Sequence, residues 1–292
     1  MVIPYTMAEC ISMLSLIVNG VRRNVPCGKC TFCLIRRRED WSFRLNQETK
    51  NSSTAFFLSL TYNAFTLPIH KVRDWCVLKT YPFMHPLVKA DVQNFMKRLR
   101  FYLSEGETTS NVRVRYYAVG EYGEKNQRPH YHVLLFNLPG REVQNIEKIW
   151  GLGFVKIGDV NPASIHYVTK YVMKPLQHYG GREPPFALMS RNPGIGKNYI
   201  DTHKSYHLRG KKNYVYVNGY KKRLPRYYRE LLFDGYQREL LAARSLADAD
   251  SAYRDAVVDL QKYHPEPDNY YVERIRYLYE TLTQKLKNNE TI

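Results

Sequence analysis

The most constraining stretch of the chain is Arg128–Phe136, in which two histidines precede a run of apolar residues. Val133–Phe136 is apolar enough for a strand buried in a sheet, and Pro129 suits the first residue of a strand, where no ladder donor is needed. Side chains at positions i and i+2 of a strand project from the same face, so His130 and His132 can reach one point. The stretch therefore predicts a strand that carries two imidazoles at its beginning.

A hairpin supplies the candidate for a third metal ligand. Val112–Glu121 alternates at its start as a strand does, and the polar residues 122–128 connect it to the histidine strand. Antiparallel pairing brings the end of one strand beside the start of the next, which places Glu121 next to His130. Glu124, in the connection, is the second candidate. Two imidazoles and a carboxylate suit Mn²⁺, or Mg²⁺ with waters completing its shell. Two surface histidines without a metal are the alternative.

A helix with paired tyrosines is predicted from residue 164 to about residue 178. Tyr167 and Tyr171 are four residues apart, so they lie on one helical face about 5–6 Å apart at Cβ. Lys170 and Lys174 form a second pair, each three residues after a tyrosine. Two hydroxyl nucleophiles beside two cations is one interpretation. The alternative is an amphipathic helix that packs its tyrosines against the sheet.

The charge of the chain points to a polyanionic partner. The formal net charge is +17, the isoelectric point is near 9.6, and 25 of the 292 residues are tyrosines, whose rings suit unstacked bases. No apolar run approaches the roughly 18 residues that span a bilayer, and Ile11–Val18 lacks the basic flank of a signal peptide. The odd count of five cysteines favours an intracellular, reducing setting. Nucleic acid is the predicted partner, and no membrane is expected.

Three of the cysteines are separated by two-residue gaps. Cys27, Cys30 and Cys33 can converge on one metal, and Cys10 is available as a fourth ligand for zinc. Iron–sulfur sequences have the same gaps, but the following cysteine expected there is absent. Three reduced cysteines in a turn are the alternative, and Cys76 is expected to be structural.

Two basic regions are predicted to contact DNA. The first is a helix from Leu34 to Gln47 that carries Arg36, Arg37 and Arg38. The second lies among tyrosines in the stretch 181–234, where cations would follow phosphates and rings would stack on bases. A solvated basic loop is the alternative. The cations of this second region are Lys211, Lys212, Lys221, Lys222, Arg223 and Arg226.

The order of elements predicts an α+β fold. Strand, helix, strand, strand, helix, strand and helix follow one another, which indicates an antiparallel sheet flanked by helices with a ferredoxin-like or RRM-like core and a helical C-terminal extension. The remaining elements are predicted at Ala55–Tyr62 (strand), Pro86–Leu103 (helix), Arg141–Trp150 (helix), Gly153–Ile157 (strand), 235–262 (helix) and 267–287 (helix). The predicted domains are a basic cysteine-containing region (1–50), the core (51–180), a basic tyrosine-rich extension (181–234) and a helical tail (235–292).

Taken together, these motifs resemble a known family. A histidine pair on a strand, followed by Tyr-x-x-x-Tyr-x-x-Lys on a helix, resembles the HUH endonucleases of rolling-circle replication. More narrowly, the chain is similar to the replication initiation proteins of the microviruses, and within these to the gokushovirus-like branch. The motifs that carry the resemblance are Val25–Cys30, Gly120–Gly123, Arg128–His132 and Leu224–Tyr228. The chain departs from the family pattern at Tyr131, which is amphipathic rather than aliphatic.

The resemblance implies a nicking and closing reaction on DNA. His130, His132 and Glu121 would hold one divalent cation at the scissile phosphate. Tyr167 and Tyr171 would be the nucleophiles that form a 5′-phosphotyrosine link and leave a 3′-OH to prime replication. Lys174 and Lys170 would stabilise charge or assist proton transfer. The list of ligands and nucleophiles thus coincides with the residues singled out by spacing.

The resemblance also implies partners and a location. The substrates would be single-stranded and supercoiled origin DNA in the cytoplasm of a bacterial host. The sequence contains no helicase P-loop, so a host replicative helicase or supercoiling would open the duplex and a host polymerase would extend the 3′-OH. Three other interpretations stay open: a non-catalytic RRM-like binder of single strands, a zinc hydrolase without covalent chemistry, and a plasmid initiator, relaxase or transposase of the same superfamily.

Overall fold

The computed structural model describes residues 10–18, 20–69, 85–105, 113–171 and 182–288. Cys76, Lys174 and the part of the predicted tyrosine helix beyond residue 171 lie outside these ranges. Contacts divide the chain into two units. One unit is Trp41–Asn198, and the other combines Met1–Asp40 with Tyr199–Ile292. The domain boundaries predicted from composition remain a prediction.

Strands and helices alternate through the chain. The strands are β1 (Leu14–Val18), β2 (Val21–Val25), β3 (Ala55–Thr61), β4 (Arg115–Tyr122), β5 (Pro129–Phe136), β6 (Val155–Asp159), β7 (Phe186–Met189), β8 (Tyr214–Val217) and β9 (Tyr220–Arg223). The helices are α1 (Thr31–Lys50), α2 (Lys89–Glu105), α3 (Ile146–Trp150), α4 (Pro162–Lys170), α5 (Asn198–Arg209), α6 (Arg226–Leu232), α7 (Gly235–Leu260) and α8 (Pro267–Lys287).

The unit Trp41–Asn198 is built on a five-stranded antiparallel sheet with the order β6-β3-β5-β4-β7. Its segment from β3 to β6 follows the β-α-β-β-α-β pattern of ferredoxin-like folds. The histidine strand β5 is central, and the side chains of Val133–Phe136 are fully buried, as their continuous apolar run predicts. The predicted hairpin of β4 and β5 is confirmed.

Helices cover both faces of this sheet. On one face, Leu58, Tyr131 and Val133 pack in a core with the apolar side of α2 and with Trp150 of α3. The opposite face buries alternate residues of the same strands against α4 and the part of α1 that follows Trp41. Those residues are Tyr117, Val119, Leu134 and Phe136, with Leu45, Ile165 and Val168 from the helices. The α+β prediction is confirmed, and burial on both sides fixes the register of the central strands.

Several elements differ from the sequence-based expectation. Residues 180–230 show few periodic signals, yet they include β7, which pairs with β4 at the sheet edge. β7 has four residues, all half-buried, so it shows no alternation to recognise. The hairpin β1–β2 is likewise unpredicted because its described side chains are largely exposed. The predicted helix Arg141–Trp150 is a 3₁₀ turn (Gly140–Asn145) followed by α3.

The unit of Met1–Asp40 and Tyr199–Ile292 is mainly helical. The two predicted C-terminal helices are confirmed as α7 and α8. Asp234 caps α7 in a capping box with Gln237. α8 reaches the start of α1, where the hydroxyls of Thr283 and Thr31 lie 2.6 Å apart. Within the described residues, no helix combines the length and apolar character that crossing a membrane requires.

Candidate metal and tyrosine site

The pairing of three strands assembles the candidate site. In the β4–β5 ladder Glu121 lies opposite His130. In the β3–β5 ladder Ser59 lies opposite His132 and Thr61 opposite His130. Because side chains alternate along a strand, these residues share the sheet face that carries α4. The site is therefore held by the most regular part of the fold.

Three of the predicted metal ligands meet at one carboxylate oxygen. Oε1 of Glu121 lies 2.8 Å from Nε2 of His130 and 2.9 Å from Nε2 of His132. One ligand atom from each residue lies within 4.8 Å of the other two. Two imidazole nitrogens and one carboxylate are a donor set that suits Mn²⁺ and related divalent ions. Glu124, the second candidate, is exposed in the connecting turn and is outside this group of described residues.

The carboxylate of Glu121 is buried, with 3% of the residue exposed. Burial by itself raises its pKa, but hydrogen bonds from His130, His132 and Tyr171 lower it further, and the pKa of Glu121 lies below its usual range. The group is therefore a buried anion at neutral pH. A buried charge is costly unless it is paired or binds a metal, and a divalent cation among these three residues would meet that requirement.

Neighbouring groups orient the two imidazoles. Nδ1 of His130 donates to the backbone carbonyl of Arg128 over 3.3 Å. Nδ1 of His132 lies 3.0 Å from Oγ of Ser59. When the other ring nitrogen is protonated, Nε2 of a neutral imidazole presents a lone pair, as metal ligation requires. Both rings thus have their Nε2 atoms aimed at the point that Glu121 also occupies.

Both predicted tyrosines lie at this point. The hydroxyl of Tyr167 donates to Oε1 of Glu121 over 3.0 Å and lies 3.3 Å from Nε2 of His132. The rings of Tyr167 and Tyr171 are 5.3 Å apart between centroids. Burial raises the pKa of Tyr167 to about 12 and also raises that of Tyr171. Both phenols are therefore neutral at neutral pH.

The helix α4 explains why the tyrosines reach the ligands. Asn161 caps it in a capping box with Ser164, and Pro162 occupies its first turn. Ile165 and Val168 are buried against the sheet, which turns Tyr167 towards the histidines. The helix ends at Lys170, so Tyr171 is its C-cap residue. The shared face predicted from the four-residue spacing is observed.

Two residues near the ligands are absent from the sequence-based set. Ser59 contacts His132, as described above, and the ring of Phe57 stacks on His132 with centroids 5.4 Å apart. The same ring makes an edge contact with Tyr167 at 6.3 Å. The signal for both was the alternation along β3, which places Phe57, Ser59 and Thr61 on one face.

The site opens into a pocket of about 440 Å³. Glu121, His130 and the two tyrosines line one side of it, and the connection between β4 and β5 lines the other. The connection contributes Lys125 and Arg128, and Nη2 of Arg128 is fixed by the backbone carbonyl of Tyr62 at 3.1 Å. A strand of DNA could therefore approach the ligands beside two positive charges.

The other predicted residues lie elsewhere or keep an untested role. Lys170 is half-buried in the last turn of α4, and its catalytic role remains a prediction. The predicted zinc ligands are brought together: the four sulfur atoms lie within 4.8 Å of one another. Those four residues are Cys10, Cys27, Cys30 and Cys33.

The predicted DNA-binding cations are largely engaged within their own unit. Lys222 pairs with Glu39 at 2.7 Å, Arg223 with Asp40 at 3.1 Å, and Arg226 with Glu230 at 2.6 Å. Lys212 and Lys221 lie over the rings of Tyr206 and Tyr214, and Arg37 donates to the carbonyl of Gly28. Arg36 and Arg38 are half-buried in α1, and Lys211 is exposed after α5. Contact of this set with DNA remains a prediction.

Comparison with known proteins identifies the family. The family model for the replication-associated protein ORF2 matches residues 55–176, which include every residue of the metal and tyrosine site. Replication-associated protein VP4 of Bdellovibrio phage phiMH2K is 30% identical over 70% of this chain and 66% of its own length. The chain belongs to the replication-associated proteins of the microviruses.

Other relatives of this microvirus family are more distant. Replication-associated protein ORF2 of Spiroplasma virus 4 is 29% identical, over 63% of this chain and 59% of the relative. Replication-associated protein ORF4 of Chlamydia phage 1 is 23% identical, over 71% of this chain and 53% of the relative. The chain thus spans about half to two thirds of the length of these curated relatives.

A comparison with solved structures finds the N-terminal nuclease domain of non-structural protein 1 of minute virus of mice. The TM-score is 0.23 and the identity 10%, over 57% of this chain and 83% of that chain. A TM-score this low supports no conclusion about fold or activity.

Proposed function

We propose that this microvirus protein is a metal-dependent endonuclease and ligase of single-stranded DNA that nicks the replication origin of a phage genome. The nick would start rolling-circle replication and a second transfer would finish it. The observation that carries the proposal is the position of the Tyr167 hydroxyl, 3.0 Å from the carboxylate oxygen at which both imidazoles also converge. A nucleophile beside a set of metal ligands is the arrangement that phosphoryl transfer by a tyrosine requires.

The reaction is a transesterification. A divalent cation held by Glu121, His130 and His132 would polarise a phosphoryl oxygen of the scissile linkage. The Tyr167 oxygen forms a bond to phosphorus as its proton leaves, and the bond from phosphorus to the 3′-oxygen breaks. The 3′-oxygen takes up a proton and becomes a free 3′-OH, while the 5′-phosphate stays on the tyrosine. One phosphoester replaces another, so the step is reversible and needs no ATP.

The second tyrosine gives the site a way to finish replication. Tyr171 lies beside Tyr167, with 5.3 Å between ring centroids, and its hydroxyl also contacts Glu121. One tyrosine can hold the old 5′ end while the other cuts the regenerated origin. Joining the held 5′-phosphate to the new 3′-OH then closes a circle. Host helicase and polymerase would act between the two steps, in the infected bacterial cell.

The test is transfer of a label from DNA to protein. Oligonucleotides tiled over the phage genome and labelled at their 3′ ends are incubated with the full chain and Mn²⁺ or Mg²⁺, then resolved on a denaturing gel. A 5′-phosphotyrosine link moves the 3′ label onto the protein. Y167F and Y171F should each leave some adduct, and the double variant should leave none.

Tyr206→Phe is the matched control, because Tyr206 is as exposed as Tyr167 (39% and 38%) and lies in the other unit. It should form the adduct like the unchanged protein. A labelled adduct that survives the Tyr167 and Tyr171 double change would overturn the nucleophile assignment. Binding of the same oligonucleotides without metal and without any adduct would favour a non-catalytic binder of single strands.

A further inference from the structure

Four cysteines from two separate stretches meet in the unit that contains Met1–Asp40. Cys10 precedes the hairpin β1–β2, Cys27 and Cys30 follow it, and Cys33 lies in the first turn of α1. All four are free thiols, and all except Cys27 are buried. The hairpin brings its two ends together because Leu14 pairs with Val25. This topology explains how Cys10 reaches a motif that begins 17 residues further along the chain.

The spacing of the sulfur atoms fits one tetrahedral ion. Sulfur ligands at about 2.3 Å from a tetrahedral zinc ion lie about 3.8 Å from one another. Sγ of Cys10 and Sγ of Cys30 are 3.8 Å apart, and each of the four sulfurs lies within 4.8 Å of the others. In a four-iron cluster the four cysteines bind different irons, which requires sulfurs further apart. A single ion is therefore favoured over a cluster.

The backbone around the sulfurs is arranged as in a metal-binding turn. Backbone N–H groups of Lys29 and Cys30 donate to Sγ of Cys27 over 3.4 and 3.3 Å, and the N–H of Cys27 donates to Sγ of Cys10 over 3.1 Å. Gly28 has φ +73°, which a glycine adopts without strain. These donors stabilise negative charge on sulfur, as thiolate ligands require.

The hairpin itself supplies a reason for the site. Among the described strands, β1 and β2 pair only with each other in a two-stranded sheet, and an isolated hairpin is marginally stable in water. Every side chain from Leu14 to Ile17 is exposed, Ile17 by 74%. Apolar packing therefore contributes little to holding this hairpin in place. The cysteine group at its open end is the contact that ties it to α1.

We propose that Cys10, Cys27, Cys30 and Cys33 bind one structural Zn²⁺ ion that fixes the β1–β2 hairpin to the start of α1. Four protein ligands leave no open coordination position, so the ion does not take part in catalysis. The proposal is independent of the nuclease function, since none of its residues belongs to the metal and tyrosine site.

The test measures zinc in the full chain by mass spectrometry of the metal after purification under reducing conditions. We expect one zinc ion per chain in a variant in which Glu121, His130 and His132 are all alanine, because that variant removes only the other site. Cys27→Ser with Cys30→Ser in the same background should lower the content to near zero. Cys76→Ser is the matched control and should retain the ion.

A second measurement does not depend on whether the cysteine variants fold. A mercurial that blocks thiols, titrated into the triple-alanine variant, should release one zinc ion as four thiols react. Co²⁺ exchanged into the site should give the thiolate charge-transfer and visible bands of tetrahedral sulfur coordination. Zinc content that ignores the cysteine changes, iron in place of zinc, or a chain that takes up neither Zn²⁺ nor Co²⁺ would overturn the proposal.

Discussion

The hydroxyl of Tyr167 and the carboxylate of Glu121 share a hydrogen bond of 3.0 Å, and the same carboxylate oxygen lies within 2.9 Å of Nε2 of both imidazoles of β5. One buried oxygen thus connects the candidate nucleophile to the candidate metal ligands. Glu121 holds this position because it lies near the end of β4, opposite the residue that begins the histidine pair. The relationship makes the site sensitive to changes at a single carboxylate.

Glu121→Gln should weaken binding of Mn²⁺ by about 100-fold or more, since even partners behind a metal ligand contribute about 10- to 100-fold. The amide keeps the shape of the side chain but removes its charge. Titration of Mn²⁺ into the full chain, followed by electron paramagnetic resonance, measures the free ion. Glu124→Gln is the matched control, because Glu124 lies exposed in the neighbouring turn, and its affinity should be unchanged. Equal losses in the two variants would contradict the ligand assignment.

Ser59→Ala should lower Mn²⁺ affinity by about 10- to 100-fold without removing a ligand. The hydroxyl lies 3.0 Å from Nδ1 of His132, and its loss frees the ring to rotate and to change tautomer. The same titration measures the effect. Ser104→Ala is the control, because its hydroxyl donates to the carbonyl of Phe101 near the end of α2. A Ser59 variant with unchanged affinity would show that Phe57 and the sheet suffice to orient the ring.

Tyr131→Phe should reduce the free energy of unfolding by about 1–3 kcal/mol, because it leaves buried polar groups without a partner. The side chain lies between the two histidines in sequence but points to the opposite face of the sheet. Its hydroxyl is 2.7 Å from that of Tyr62 and accepts from the N–H of Val88 over 2.9 Å. This contact accounts for a tyrosine where the family pattern has an aliphatic residue.

Urea unfolding of the full chain measures the Tyr131 effect, and Mn²⁺ affinity should stay the same because the metal ligands are on the other face. The control is Tyr236→Phe, because Tyr236 is 76% exposed, and this variant should change stability by less than about 0.5 kcal/mol. If Tyr131→Phe is as stable as the unchanged protein, water must replace the lost hydroxyl.

The sequence identified the parts of the site that depend on short-range pairing. Glu121 and His130 are nine residues apart, and hairpin geometry alone brings them together. Ser59 escaped because its place opposite His132 depends on pairing between strands 73 residues apart, which periodicity does not reveal. The edge strand β7 escaped for the same reason. Cys10 was identified by counting ligands, since three closely spaced thiols need a fourth.

The engaged cations show a different limit of sequence reasoning. Arg223 and Lys222 look like free positive charges in the sequence, but the fold places Asp40 and Glu39 beside them. Exposed ion pairs of this kind contribute about 0–1 kcal/mol, so a phosphate can compete for the cation. The net charge of the chain therefore indicates the class of partner better than it indicates which residues contact that partner.

His207 should make the stability of its unit depend on pH. The imidazole is fully buried: Nδ1 lies 2.6 Å from the carbonyl of Lys212, which can only accept, and Nε2 lies 2.9 Å from the hydroxyl of Tyr199. Burial lowers the pKa of His207 below its ordinary 6.5, and the nearby charges of His203 and Lys212 lower it further. The folded ring therefore stays neutral at a pH where the unfolded ring is already protonated.

The sign of the effect follows from proton linkage. Above about pH 6.5 both states are neutral at this residue, and its contribution to stability is complete. As the pH falls below that value, the unfolded state binds a proton that the folded state does not, so the free energy of unfolding decreases until the lowered pKa is reached. Urea unfolding at about pH 7 and about pH 5.5 should show this loss in the unchanged protein and a smaller loss in His207→Gln. His264→Gln, at the end of α7, is the control and should keep the full pH dependence; an equal slope in His207→Gln would assign the acid sensitivity to other groups.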